Sequence, residues 1–188
     1  RLSLNPKLIQ KIEDKSVLLP KLMRRKFFMP VHEALGGELR YLFSFESALD
    51  PEVQQSFTNF GYHVLAGYGL TEAGPLISCI KPNQEVVRSV GPVLPHLEVR
   101  IEKEKGHKIG EILVRGESVF SGDLNHSNAT QRVLKNGWLS TGDLGYFSNQ
   151  KNLVVVGRLN DVIVNAAGQR IYPNQVEFYY RDIPHAKR

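Results

Sequence analysis

The chain changes texture once along its length, near Pro82, and that change limits the folds open to it more than any other feature. Before it, apolar runs alternate with helix-like segments. Residues 5–35 lack strand alternation and carry Leu, Ile, Lys and Glu at helical spacing, broken by Pro20 and Pro30. Two or three helices ending at Gly36-Gly37 are expected there. Leu39-Arg40-Tyr41-Leu42-Phe43-Ser44 reads as a short buried strand. Asp50-Pro51-Glu52 then opens a helix reaching Phe60, with Asp50 as N-cap, Pro51 at the first helical position and Gly61 as the stop. Tyr62-His63-Val64-Leu65-Ala66 is a second strand. Helix–strand–helix–strand in this order is expected to form part of a parallel α/β sheet.

After Pro82 short strands follow one another closely: Glu98–Glu102, Gly110–Arg115 and Leu153–Val156, punctuated by Gly106, Gly116, Gly122 and Gly137. That is the pattern of an antiparallel β subdomain. Asn128–Lys135 reads as a short helix. Beyond Gly157 another compact unit begins, with Val162-Ile163-Val164, a turn at Gly168, Ile171-Tyr172-Pro173 and a helix from Asn174. The expected division is 1–85 for the α/β part, 86–157 for the β subdomain and 158–188 for a hinge with the first elements of a further small α+β domain.

Composition removes several classes. One cysteine, Cys79, excludes an internal disulfide and any Cys-based zinc cluster. No apolar stretch nears the ~18 residues of a membrane span, and Arg1-Leu2-Ser3-Leu4-Asn5-Pro6 does not read as a signal peptide. A cytoplasmic location is the expectation. The formal net charge of +5 sits wholly in residues 1–40, which carry nine basic and four acidic side chains. Arg24-Arg25-Lys26 beside Phe27-Phe28-Met29 could meet an anionic lipid surface, so peripheral membrane contact stays open; a solvated helix face is the simpler account. No aromatic-interleaved RNA motif, zinc finger or helix-turn-helix supports nucleic acid as a partner.

No G-x-S-x-G, G-x-x-x-x-G-K-[ST] or G-x-G-x-x-G occurs, and the six histidines lack ligand-like spacing. Three turn-rich segments carry what chemistry there is: Gly67-Tyr68-Gly69-Leu70-Thr71-Glu72-Ala73-Gly74 after a strand, Trp138-Leu139-Ser140-Thr141-Gly142-Asp143, and Gly157-Arg158-Leu159-Asn160-Asp161. Thr71 and Glu72 at the carboxyl end of a parallel strand lie where open α/β sheets bind ligands, and a hydroxyl beside a carboxylate suits Mg²⁺ with phosphate. Asp143 in a Thr-Gly-Asp turn could accept hydrogen bonds from a ribose diol, and Arg158 could donate to ribose or phosphate. Each alone is also what an ordinary turn uses. Together they point to a nucleotide site.

The order of these motifs resembles that of the adenylate-forming superfamily, which includes acyl- and aryl-CoA synthetases, peptide-synthetase adenylation domains and firefly luciferase. Tyr68-Gly69-Leu70-Thr71-Glu72 resembles Y-G-x-T-E. Ser89-Val90-Gly91-Pro92 with Pro95 resembles S-V-G-x-P. Gly110-Glu111-Ile112-Leu113-Val114-Arg115-Gly116 resembles G-E-[IL]-x-V-R-G, and Trp138 to Asp143 resembles W-x-x-T-G-D. Gly157-Arg158 with Asp161, Ile163, Gly168, Ile171, Pro173 and Glu177 resembles the segment joining the large and small domains. Glu33 to Arg40 and Ala48 to Glu52 are most similar to long-chain fatty acyl-CoA synthetases.

The resemblance implies an α/β fold in which an α/β subdomain is followed by a small antiparallel β-barrel subdomain and the start of the small C-terminal domain. It implies a ligase using ATP, Mg²⁺ and coenzyme A on a carboxylic acid, most similar to those that take fatty acids. By carry-over, Thr71 contacts phosphate and Glu72 holds Mg²⁺, both as catalytic residues. Tyr68 stacks near the adenine, Gly69 is a further cofactor-binding residue, Asp143 binds the ribose hydroxyls, Arg158 clamps ribose, and Gly168, also cofactor-binding, lies in a small-domain loop that swings towards the thioester site. Ser44, Phe45, Glu46 and Ser47 line the substrate pocket, and Asn160 is the hinge. The chain departs from the pattern with Phe45-Glu46-Ser47 where Gly-Gly-Ala or Gly-Ala-Ala is usual, with Asn160 for Asp or Lys, with Ala167-Gly168 for Gly-Gly, and with Asp123 where Tyr is common. The Ser/Thr/Gly-rich phosphate loop and the small-domain Lys have no counterpart here, so a central fragment of a larger enzyme, inactive alone, is expected. A non-catalytic nucleotide- or acyl-binding module and an enzyme loading a carrier protein are the alternative readings.

Overall fold

The computed structural model describes residues 19–180 apart from 46, 48, 83, 85 and 87. The expected helix over the first residues therefore lies outside the described part, as does Glu46 of the expected pocket. The chain forms two compact units, one taking residues up to Gly67 and then Ile80–Arg88, the other Tyr68–Cys79 and Ser89 onwards.

In the first unit α1 (Lys21–Phe27) and α2 (Met29–Ala34) are separated at Phe28. Pro30 explains the break, because it cannot donate its backbone N–H and is tolerated only in a first helical turn. Strand β1 (Tyr41–Ser44) is followed by α3 (Pro51–Asn59) and β2 (His63–Tyr68). Helix α3 starts as its sequence dictates. The Asp50 carboxylate accepts from the Glu52 N–H at 2.8 Å and Pro51 occupies the first turn. β1 and β2 pair in parallel, from Tyr41 opposite His63 to Ser44 opposite Ala66. Phe28 packs on Phe60 with ring centroids 4.8 Å apart, and buried His32 lies 4.3 Å from Tyr62 while its Nε2 meets the Phe60 carbonyl at 2.8 Å.

The second unit is built on antiparallel strands. β3 is Ser78–Cys79, β4 Leu97–Glu102 and β5 Gly110–Gly116. After α4 (Ser127–Val133) come β6 (Leu134–Lys135), β7 (Trp138–Phe147) and β8 (Leu153–Arg158). The sheet runs β4-β5-β7-β6, with β8 on the other part of β7. Leu97, Ile112, Val114, Leu139 and Leu153 supply its core together with Tyr68, Ala73 and Ile77. Ile77, Ile112, Val114 and Leu153 are fully buried, each contributing about 1.5–3 kcal/mol of hydrophobic stabilisation. Two guanidinium groups lie over the Trp138 ring, Arg100 at 4.6 Å and Arg115 at 4.7 Å from its centroid, a cation–π arrangement. A short hairpin, β9 (Ile163–Val164) and β10 (Arg170–Ile171), precedes α5 (Pro173–Tyr180).

The α/β start, the antiparallel β subdomain and the first elements beyond Arg158 follow the sequence reading. Three expectations change. Strand β1 is not buried: Tyr41 and Phe43 are exposed, because among the described residues β1 pairs on one side only, with β2. Helix α4 gives way to strand at Leu134 rather than running to Lys135, where the backbone of Leu134-Lys135 finds partners in Leu139 and Trp138. More consequentially, Trp138 to Asp143 is not a free turn but the first part of the ten-residue strand β7. Its Thr, Gly and Asp read as turn residues because the strand bulges there. Glu111 pairs with Leu144 and Leu113 with Ser140, so three β7 residues oppose the single Ile112. Gly142 takes a φ of 72° inside that bulge, in the left-handed region that glycine enters at no steric cost.

Candidate nucleotide site

All the residues singled out for nucleotide binding fall in the second unit. Tyr68 closes β2, and the chain then folds back on itself so that the Ile77 N–H donates to the Tyr68 carbonyl at 2.8 Å. Between them Thr71–Ala73 forms one 3₁₀ turn. Ala73 and Ile77 point into the core, while Thr71 and Glu72 are exposed. The turn is tied down by the Phe120 N–H donating to the Glu72 carbonyl at 2.8 Å and the Ser118 hydroxyl donating to the Ala73 carbonyl at 2.9 Å. The backbone of this turn is thereby fixed while a hydroxyl and a carboxylate remain presented to solvent.

The bulge in β7 aims Asp143 inward. Asp143 is buried, its side chain only 12% exposed. Oδ2 accepts a hydrogen bond from the Tyr68 hydroxyl at 2.8 Å, between residues 75 positions apart. On the neighbouring strand β8, Arg158 pairs with Asp143 in register, and its Nε stands 3.7 Å from Oδ1. The Arg158 side chain is 74% exposed, so this pair contributes little to stability and leaves the guanidinium free to turn towards a ligand. An ionised carboxylate has about four lone-pair positions; one hydrogen bond to Oδ2 leaves Asp143 with acceptor capacity for a pair of hydroxyls.

The electrostatics fit that role. Burial pushes the Tyr68 hydroxyl far above the tyrosine range, helped by the neighbouring Asp143 charge, so Tyr68 stays a donor. Burial also raises the Asp143 carboxyl, against the opposing influence of the Tyr68 hydrogen bond and the Arg158 charge. A raised carboxyl means the folded state holds its proton more tightly than the unfolded state. The stabilisation from this group is thus fully present below the ordinary carboxylate range and lost as pH rises through the folded pKa. At neutral pH the ionised Asp143 is a cost that folding bears. Asp143→Asn, which keeps an acceptor for Tyr68, should therefore raise the thermal unfolding midpoint at neutral pH, with the gain shrinking as the solution is acidified. A lower midpoint for the Asn variant at neutral pH would contradict this.

The structure thus brings Tyr68, Asp143 and Arg158 into direct contact, with Thr71 and Glu72 on the turn that follows Tyr68. Asn160 lies exposed in the 3₁₀ turn Leu159–Asp161, immediately after Arg158. Gly168 sits in the β9–β10 turn with a φ of 78°, its N–H donating to the Asn165 carbonyl at 2.9 Å. Ser44, Phe45 and Ser47 belong to the first unit. Ser44 pairs with Ala66, Phe45 stacks at 5.9 Å on the exposed ring of Phe43, and Ser47 is exposed. An open cavity of about 590 Å³ lies elsewhere in the second unit, lined by Gly122, Asp123, Leu124 and Thr130 among others, and none of Tyr68, Asp143 and Arg158 lines it. The Tyr68–Asp143 bond itself was not legible in the sequence: nothing local marks two residues so distant along the chain as partners.

No group of three or more His, Cys, Asp or Glu side chains able to hold a metal alone occurs among the described residues. Magnesium asks for less when phosphate is present, since it keeps several waters and takes one or two carboxylates beside phosphate oxygens. The exposed Glu72 carboxylate and Thr71 hydroxyl fit that donor set. No helix among the described residues is long and apolar enough to cross a membrane.

The sequence model of the AMP-binding enzyme family matches residues 5–122. The chain belongs to this family, and so to the adenylate-forming superfamily. Its relatives include acyl- and aryl-CoA ligases. It is 32% identical over 167 residues to long chain acyl-CoA synthetase 6, peroxisomal, of Arabidopsis thaliana, an alignment covering 83% of this chain and 24% of that protein. It is 37% identical over 123 residues to 2-succinylbenzoate–CoA ligase of Bacillus subtilis (strain 168), covering 62% and 25% respectively. Among solved structures it is similar to the O-succinylbenzoate coenzyme A synthetase of Bacillus subtilis in complex with ATP and magnesium ion. The TM-score is 0.66 at 32% identity, over 73% of this chain and 30% of that one. The chain spans about a quarter of the length of the curated relatives it matches.

Proposed function

We propose that the full-length protein activates a carboxylic acid with ATP and passes the acyl group to coenzyme A. A carboxylate oxygen attacks the α-phosphorus of ATP and pyrophosphate leaves, giving an acyl-adenylate. The thiol sulfur of coenzyme A then attacks the acyl carbon, loses its proton, and AMP leaves. The observation that carries the reading is the buried Asp143 carboxylate, held by Tyr68 on one oxygen and flanked by Arg158 on the other. It is an acceptor group with spare capacity beside an exposed donor, matched to the hydroxyls of a ribose.

The roles are those the family's motifs imply, and for Asp143 and Arg158 the geometry supports them. Asp143 accepts from the ribose hydroxyls. Arg158 donates to the ribose from the open side. Tyr68 fixes Asp143 through its hydroxyl, and by the motif it shares with the family it lies with Gly69 near the adenine. Thr71 donates to a phosphate oxygen, and Glu72 would hold Mg²⁺, which when bound neutralises phosphate charge. Catalysis in such a site is largely positioning and charge stabilisation. Asn160 serves as the hinge and Gly168 as the apex of a mobile loop, with Ser44, Phe45, Glu46 and Ser47 bordering the acyl pocket. A fatty acid is the preferred substrate, supported by the long-chain acyl-CoA synthetases among the relatives; the 2-succinylbenzoate and indoleacetate ligases show that the family also takes aryl acids.

Carboxylate-dependent exchange of labelled pyrophosphate into ATP by the full-length protein tests this reading. Exchange is expected with fatty acids of some chain length, and Glu72→Ala should lower it at least about tenfold through the lost metal carboxylate. No exchange across aliphatic and aryl acids would favour a non-catalytic binding module. Exchange without coenzyme A acylation would favour a carrier-protein acceptor.

A further inference from the structure

The motif Gly110-Glu111-Ile112 has no part in the chemistry above, yet Glu111 stands next to it. Strand β5 places Glu111 opposite Leu144, one residue beyond Asp143. Because three β7 residues oppose only Ile112, the bulge Thr141-Gly142-Asp143 cannot satisfy its backbone from the ladder. Each buried or half-buried N–H must still find an acceptor. The Thr141 hydroxyl donates to the Ile112 carbonyl at 2.8 Å and accepts from the Asp143 N–H at 3.1 Å. The Gly142 N–H donates to Glu111 Oε1 at 3.1 Å. Gly142 is also the residue with positive φ, where the backbone is least constrained by side-chain sterics.

We propose that Glu111 is a positioning residue for the nucleotide site: its carboxylate holds the Gly142 N–H and so fixes the bulge that aims Asp143. The proposal rests on the nucleotide reading of Asp143. Asp143 is held at its tip by the Tyr68 hydroxyl, and its backbone is held from below by Thr141 and Glu111. Losing Glu111 leaves the tip contact but frees the peptide between Thr141 and Asp143. The carboxylate would then sample orientations that cannot meet a ribose. A ligand pays for that freedom on binding, which shows as weaker affinity without a change in the bonds made.

The test is equilibrium binding of AMP to the full-length protein by calorimetry, in a double-mutant cycle. Glu111→Ala should raise the Kd about five- to tenfold, less than the full worth of the charge-assisted hydrogen bond lost, because the ligand feels that bond only through Asp143. Glu111→Gln, whose amide oxygen can still accept from Gly142, should restore most of the affinity. In an Asp143→Ala background the Glu111→Ala effect should shrink to less than about twofold, because the two act as one unit. A purely structural Glu111 would lower the unfolding midpoint and give the same loss of affinity in both backgrounds, which overturns the proposal, as would wild-type affinity in Glu111→Ala. Failure of wild-type protein to bind AMP would remove the nucleotide reading and the positioning role with it. Binding by the wild type with no coupling to Asp143 removes the positioning role alone.

Discussion

Asp143→Ala in the full-length protein should raise the KM for ATP and lower kcat/KM at least about tenfold, a loss of roughly 1.4 kcal/mol or more of transition-state stabilisation. The substitution removes an acceptor that the structure holds 2.8 Å from the Tyr68 hydroxyl and 3.7 Å from Arg158. Two effects on stability oppose each other. Removing a buried carboxylate relieves the desolvation that raises its pKa, which favours folding at neutral pH. Depriving the buried Tyr68 hydroxyl of its Asp143 acceptor, with the Thr141 hydroxyl its remaining neighbour, costs up to about 1–3 kcal/mol. Asparagine relieves the first and avoids the second, so Asp143→Asn should be more stable than Asp143→Ala while both bind ATP poorly. That pattern separates a functional carboxylate from a structural one. A structural carboxylate would leave the KM for ATP unchanged in the Ala variant.

Gly69→Ala should have the largest effect on folding. Gly69 follows Tyr68 where the chain turns back, and the returning backbone passes so close that an added Cβ would lie 1.7 Å from the Pro75 carbonyl oxygen and 2.8 Å from the Leu76 Cα. Neither is the flexible end of a side chain. The turn must open, which pulls Ala73 and Ile77 out of the core they fill completely. A destabilisation above about 4 kcal/mol, or loss of soluble protein, is expected. Gly106→Ala is the matched control. Gly106 has a φ of 88° but open space around the missing Cβ, so it bears only backbone strain of about 1–3 kcal/mol. Equal yields and unfolding midpoints for the two variants would contradict the close packing of the Tyr68–Ile77 loop.

What the sequence revealed and what it hid divide along physical lines. The start of α3 was legible because Asp50, Pro51 and Gly61 act within a few residues of the backbone they cap. The parallel β1–β2 pair was legible from its two apolar runs. The Thr141–Asp143 segment was misread as a turn because a strand bulge uses turn residues: Gly142 for its positive φ, Thr141 for its hydroxyl. Distinguishing the two requires knowing that β5 and β8 lie on either side, which is long-range information. The same holds for the site. Tyr68, Thr71, Glu72, Asp143 and Arg158 were each visible as residue types in motifs. The Tyr68–Asp143 bond and the Glu111–Gly142 bond exist only once the strands have paired.

On the proposed function, Asp143, Tyr68 and Arg158 receive the ribose and base of an adenylate. Calorimetric titration of the full-length protein with a non-hydrolysable acyl-adenylate analogue tests it most directly. Saturable one-to-one binding by the wild type is expected, weakening at least about tenfold in Asp143→Ala. Binding of equal strength in both proteins would contradict it, and so would a wild-type protein that does not bind the analogue.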